Sequence, residues 1–181
     1  MKRILSIGLP GAWLLMLGAC TGNNKMATGS VKPVANSLIS PAAVSTQNNT
    51  DCNARFGFCI DYPKNLVAQP ESDNGDGRIF TDARGNEVMR ASGITDINGE
   101  GIKGYYREAL KLDSLDSPRL AITTSLQKEN FCEVTGEKGA QLYFRRTILK
   151  GGVFISASCQ VDDRDTAAFD RLRTLIIKSL K

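Results

Sequence analysis

Two hydrophobic periods alternate along the chain after residue 51, and the switches between them outline a domain. Phe56, Phe58 and Ile60 alternate with Gly57, Cys59 and Asp61 ahead of Tyr62-Pro63. This period of two predicts a strand, ended by a proline that cannot donate to a ladder. Arg78 to Thr81 and Glu87 to Ala91 read as short strands either side of the turn-rich loop Asp82-Ala83-Arg84-Gly85-Asn86. The spacing then changes to Ile102, Tyr105, Tyr106, Ala109 and Leu110, which predicts a helix over 102–112. Four more strands follow, over 120–126, 131–135, 141–149 and 153–161, with turns supplied by Gly136 to Gly139 and by Gly151-Gly152. From Asp163 to Leu180 the positions Phe169, Leu172, Ile176 and Leu180 repeat at helical spacing. Acids come first there and Lys178 and Lys181 last, the order that complements a helix dipole.

Strands, helix, strands, helix predict an α+β domain over 52–181, an antiparallel sheet of about six to seven strands with two packed helices. The opening Phe56-Gly57-Phe58-Cys59-Ile60-Asp61-Tyr62-Pro63, an early hairpin, a central helix, a meander and a closing amphipathic helix together resemble the PsbP-like fold, which includes envelope lipoproteins of bacteria. Members are mostly binding or assembly factors without catalysis. The resemblance therefore implies such a role, and it fixes no site residue.

Residues 1–51 have a different character. Lys2 and Arg3 precede an apolar stretch from Ile4 to Leu17, and the run closes as Leu17-Gly18-Ala19-Cys20. A basic start, a short apolar region and small residues before a cut predict a signal peptide over 1–19, its apolar stretch too short to span a bilayer. The Leu-Gly-Ala-Cys ending resembles the bacterial lipoprotein lipobox. That resemblance implies that Cys20 is acylated on sulfur and on its new amino terminus, which attaches the chain to a membrane. Each buried CH₂ of an acyl chain contributes about 0.8 kcal/mol, and several chains on one residue hold stably. Thr21 in place of an aspartate implies sorting to the outer membrane, facing the periplasm. From Thr21 to Asp51 the chain is rich in Ser, Thr, Asn, Ala, Gly and Pro, without aromatic residues or apolar period, which predicts a disordered tether over 20–51. Such a tether spans roughly 30 Å.

Charge and composition narrow the chemistry. Loss of residues 1–19 removes Lys2 and Arg3 from the 23 basic side chains and none of the 19 acidic ones, leaving a net charge of +2. That balance predicts no nucleic-acid partner. The chain contains no histidine, so the side chain that titrates near neutrality and most often ligates transition metals is missing. Cys52, Cys59, Cys132 and Cys159 remain beside Cys20. An even count in an exported chain predicts two disulfides with three connectivities, of which Cys52 with Cys59 and Cys132 with Cys159 is preferred. A simple meander leaves a strand between the second pair, whereas bridged Cα atoms lie within about 7 Å.

Several motifs suggest chemistry. Ser72-Asp73-Asn74-Gly75-Asp76-Gly77 resembles part of a calcium loop, which makes Asp73, Asn74, Asp76 and Asp82 a candidate weak ion site. Ser72 and Ala83 stand where an EF-hand places acids, so the loop reads first as a turn. Gly99-Glu100-Gly101-Ile102-Lys103-Gly104 spells G-x-G-x-x-G at the mouth of a helix, but the dinucleotide reading needs a parallel βαβ unit. Ser125-Leu126-Gln127-Lys128 matches S-x-x-K without the K-T-G of penicillin-recognising enzymes. Asp162 with Asp163, or Asp113 with Asp116, are carboxylate pairs, the former better placed as the cap of the last helix. Tyr105, Tyr106, Tyr143, Phe144, Arg145 and Arg146 could line an aromatic and basic face, though core and edge positions account for them more simply.

The expectation from all of this is a lipid-anchored domain that binds an envelope protein partner in an accessory or assembly role, with no enzyme activity, no cofactor and no metal. The alternative is a small-molecule or calcium-binding protein, and behind both stands an envelope hydrolase using carboxylates.

Overall fold

The computed structural model describes residues 47–115 and 118–181. The expected signal peptide, Cys20 and the tether as far as residue 46 lie outside the described residues, as does Asp116. Nine strands and two helices follow in the order β1 (Asn48–Asn53), β2 (Phe58–Pro63), β3 (Val67–Ala68), β4 (Gly77–Thr81), β5 (Glu87–Thr95), α1 (Gly101–Leu115), β6 (Leu120–Gln127), β7 (Phe131–Lys138), β8 (Gln141–Lys150), β9 (Val153–Asp162) and α2 (Thr166–Ser179). Strands β3-β4-β5-β9-β8-β7-β6 form one sheet, in that spatial order, with every pairing antiparallel. Strands β1 and β2 form a separate hairpin.

Strand register decides what each face of the sheet buries. On β8, Phe144 and Ile148 turn to one side, and on β9 Ile155, Ala157 and Cys159 join them. Phe169, Leu172 and Ile176 of α2 pack onto this side with Phe58 and Ile60 of the β1–β2 hairpin. Helix α2 starts where the Asp165 carboxylate accepts the Ala168 amide at 3.0 Å. The other side receives α1, whose Ile102 meets Cys132 and Phe154, flanked by Tyr105, Tyr106 and Leu149. The molecule is thus an α+β sandwich with a helix on each face of one antiparallel sheet.

Three expectations need correction, and one strand had drawn none. The domain begins before Cys52, because Asn48 to Asp51 belong to β1; their alternation is of polar residues, so no hydrophobic period marks them. Their order comes from partners distant in sequence. Asp51 binds Arg78 at 3.1 Å, and the buried Asn53 amide donates to Glu71 at 2.6 Å and to the Gly75 carbonyl at 2.9 Å. Strand β3 is a two-residue pairing too short for any period to register. Gly136 lies inside β7 rather than in a turn, where a Cβ would come within 2.4 Å of the Ala121 carbonyl across a register shift in β6. The cap of the last helix is Asp165, while Asp162 ends β9 and holds Arg164 at 2.7 Å.

Phe144 is fully buried at the centre of the α2 side. Truncation there removes packing and leaves a cavity, so Phe144→Ala is expected to lower unfolding free energy by about 3 to 5 kcal/mol, measured by urea denaturation.

Candidate functional site

Beneath α1 the sheet carries a polar seam. Arg145 projects from β8 toward α1 and donates to both oxygens of Asp113, at 2.8 and 2.7 Å. Both side chains are largely buried, with 14% and 12% exposure. Burial works against the Arg145 charge, but the Asp113 carboxylate, with Tyr143 and Tyr105 nearby, more than compensates and raises its pKa above the ordinary arginine value. The Tyr143 phenol is pushed up, first by burial, and it shares hydrogen bonds with Ser158 and Arg145. About two helical turns toward the N-terminus of α1, the Tyr105 hydroxyl meets Ser156 at 2.8 Å, and Ser156 meets Thr147 at 2.7 Å. The Tyr105 ring packs against Phe154 with centroids 4.7 Å apart.

The adjacent Arg146 turns to the opposite face. It pairs with Glu133, donates to the Leu180 carbonyl at 3.1 Å and covers the Phe131 ring at 4.2 Å. The aromatic and basic group suggested by sequence is therefore divided by the sheet. Tyr105, Tyr106, Tyr143 and Arg145 gather on the α1 side, and Phe144 and Arg146 lie on the α2 side. Asp113, named in the sequence only beside Asp116 as a carboxylate pair, joins this group instead through Arg145. Its signal is an acid four residues after Ala109 on the buried stripe of an amphipathic helix.

The cysteines divide as well. Cys52 and Cys59 are opposite one another in the β1–β2 register and form a disulfide, as expected. Closing so short a loop contributes roughly 2 to 3 kcal/mol. The expected Cys132–Cys159 disulfide does not form; both thiols are free and buried. Strand β8 lies between them, which sets the two backbones roughly 9 to 10 Å apart. Cys132 is opposite Thr147 and Cys159 opposite Phe144. Those two β8 residues are an odd number of positions apart, so the thiols point to opposite faces. Burial raises both pKa values, that of Cys159 to about 12, which keeps the thiols protonated and poor nucleophiles at neutral pH.

The candidate ion loop does not converge. Asp76 is bound by Arg55 at 2.7 Å, whose guanidinium also binds the Asn74 carbonyl, and Asp73 is exposed. Asp82 sits beyond the far end of β4, about 17 Å of extended chain away. There it closes the β4–β5 loop, accepting the Arg84 amide at 2.8 Å and the Asn86 amide at 2.9 Å. Hydrogen bonding, led by the Asn86 side chain, lowers its pKa to about 2. Among the described residues no group of three or more His, Cys, Asp or Glu side chains could hold a metal. The G-x-G-x-x-G stretch opens α1, where the Asp96 carboxylate accepts the Glu100 and Gly101 amides at 3.1 and 3.0 Å. Its helix terminus therefore already faces an anion of the chain itself.

Two surfaces remain open. Helix α1 lies over β6, β7 and β8, which leaves Arg90, Ser92 and Ile94 of β5 half-covered or exposed on that side of the sheet. Strand β6 ends the sheet, and seven of its eight residues are exposed.

Comparison with known proteins bears on the architecture. No family model matches the chain, and no curated protein matches it. Among solved structures it is similar to cyanobacterial PsbP (CyanoP) from Synechocystis sp. PCC 6803, with a TM-score of 0.55 and 11% identity over 78% of this chain and 96% of that one. An antiparallel sheet between two helices defines the class. Within it, the fold is PsbP-like, as the element order implied, and at this identity the likeness is one of fold alone.

Two outcomes are expected. Asp113→Ala leaves the Arg145 guanidinium buried without its carboxylate and should cost about 3 to 5 kcal/mol in a denaturation experiment. Alkylation in denaturant without reductant, followed by peptide mapping, should label Cys132 and Cys159 and leave Cys52 and Cys59 unlabelled.

Proposed function

We propose that this protein is a bacterial envelope lipoprotein, anchored through acylated Cys20 and facing the periplasm from the outer membrane, that acts by binding a protein partner in an accessory or assembly role. The observation that carries this reading is Cys20 itself, at the end of Leu17-Gly18-Ala19 behind a basic, apolar leader. Thr21 supports the outer-membrane assignment. A long segment of Ser, Thr, Asn, Ala and Pro between Cys20 and the first strand would let the domain reach well beyond the bilayer surface.

The chemistry inside the domain supports binding over catalysis. Asp113 spends both oxygens on Arg145, Glu133 is held by Arg146, and the free thiols are buried and protonated. These groups are closed on each other, whereas the surfaces without internal partners are a strand edge and part of a sheet face. Among the described residues no helix is long and apolar enough to cross a membrane; in this reading the acyl chains on Cys20 make the attachment.

Replacing Cys20 with alanine should move the protein from the membrane fraction to the soluble fraction, and the wild-type amino-terminal peptide should carry the mass of its acyl groups. Unchanged fractionation of Cys20→Ala, or an unmodified Cys20, would overturn the anchor.

A further inference from the structure

Strand β6 is built unlike an edge that must stay unpaired. Its sequence, Leu120-Ala121-Ile122-Thr123-Thr124-Ser125-Leu126-Gln127, has no charge and no proline. Proteins protect long edge strands with exactly those residues, with strong bulges or with a covering element. Here a single register shift between Ile122 and Thr124 interrupts the pairing, and the four residues beyond it run regularly. The opposite edge, β3, is only two residues long. The Lys128 amide donates to the Phe131 carbonyl at 2.8 Å, so that pair is hydrogen-bonded across the turn. By alternation Leu126 and Thr124 bond inward to β7, and Ser125 and Gln127 turn their amides and carbonyls outward.

A second observation lies beside this edge. Thr124, Leu126, Glu133, Thr135 and Arg173 line a cleft of about 140 Å³ between α2 and the margin of the sheet. Glu133 is already paired with Arg146. Arg173 stands over the Phe144 ring at 5.3 Å, and its Nε is a buried nitrogen without a hydrogen-bond partner among the described residues. A buried donor without an acceptor is costly, and a turn of the Arg173 side chain into the cleft would bring it to an acceptor entering from outside. Arg119 and Lys128 flank β6 and are exposed, Lys128 with the exposed Glu129 beside it in the turn.

We propose that β6 is the docking site for an extended, acidic segment of the protein partner, which adds a strand to the sheet and places a carboxylate against Arg173. This rests on the partner-binding reading above and names where the partner binds. Main-chain bonds to Ser125 and Gln127 supply affinity, as in strand addition to other sheet edges, and the basic frame of Arg119, Lys128 and Arg173 supplies preference for acids. A second copy of this chain fits less well, since two β6 strands paired antiparallel about their middle set Arg119 opposite Lys128.

The test uses the full chain and three synthetic probes. One is an extended threonine–valine peptide with a glutamate at its centre and near each end; the others are its lysine counterpart and a form N-methylated on alternate amides. Binding by the glutamate peptide should shift the Ser125 and Gln127 amide resonances and be at least tenfold tighter than binding of either control. Ser125→Pro, which removes an outward donor and no ladder bond, should abolish it while the melting temperature stays near that of the wild type. Arg173→Gln should weaken the preference for glutamate over lysine, and Arg173→Gln combined with Arg119→Gln and Lys128→Gln should lose it. Equal binding of the N-methylated peptide, or shifts confined to Arg90 and Ser158 on the α1 side, would overturn the proposal. So would a wild-type dimer dissociated by Ser125→Pro, which would make a second copy the occupant. Membrane fractionation of Cys20→Ala is independent of all three probes, so loss of the docking site and loss of the anchor give different results.

Discussion

Everything in this domain depends on the strict alternation of side chains across one seven-stranded antiparallel sheet. Because successive residues on a strand face opposite ways, the register of β8 between β7 and β9 assigns each neighbour to a different environment. Phe144, Arg146 and Ile148 go to the α2 side, and Tyr143, Arg145 and Thr147 go to the α1 side. The two arginines are adjacent in sequence yet need separate acids, Glu133 for one and Asp113 for the other. A slip of one residue would bury the wrong set on each face and part both pairs. The buried ion pairs thus act with the apolar core to specify a single register.

The same alternation separates the cysteines into two kinds. Cys52 and Cys59 meet because they are opposed in a two-stranded hairpin, where a bridge crosses one gap. Cys132 and Cys159 occupy strands on either side of β8 and face different helices. Each is then a small apolar side chain filling its own core, and burial of the thiol, more than any neighbouring charge, sets its chemistry.

The two faces of the sheet are covered unequally. Helix α2 and the β1–β2 hairpin close the centre of one face, while α1 lies over β6, β7 and β8 on the other. Charged side chains in the interior are matched within the chain. At the margin, Arg173 Nε has no hydrogen-bond partner among the described residues, and β6 presents free backbone. The domain thus has its matched charges inside and open backbone at one edge.

The periods of the chain were enough to place most of this architecture. Apolar alternation located β2, β4 and β5 through β9, and helical spacing located α1 and α2, because burying one face of an element leaves a mark in its own sequence. Strand β1 escaped because its residues are polar and are ordered by Arg78, Glu71 and the Gly75 carbonyl, all distant along the chain. The expectation for the leader and Cys20 likewise rests on linear sequence alone, since such a signal needs no fold to be read. Which strands are neighbours, which of two adjacent arginines meets Asp113, why Cys132 and Cys159 stay apart and where Arg173 is left without an acceptor were decided only in three dimensions. A period states that side chains alternate, but the partner on each side is chosen by strand order, and strand order comes from packing distant segments together.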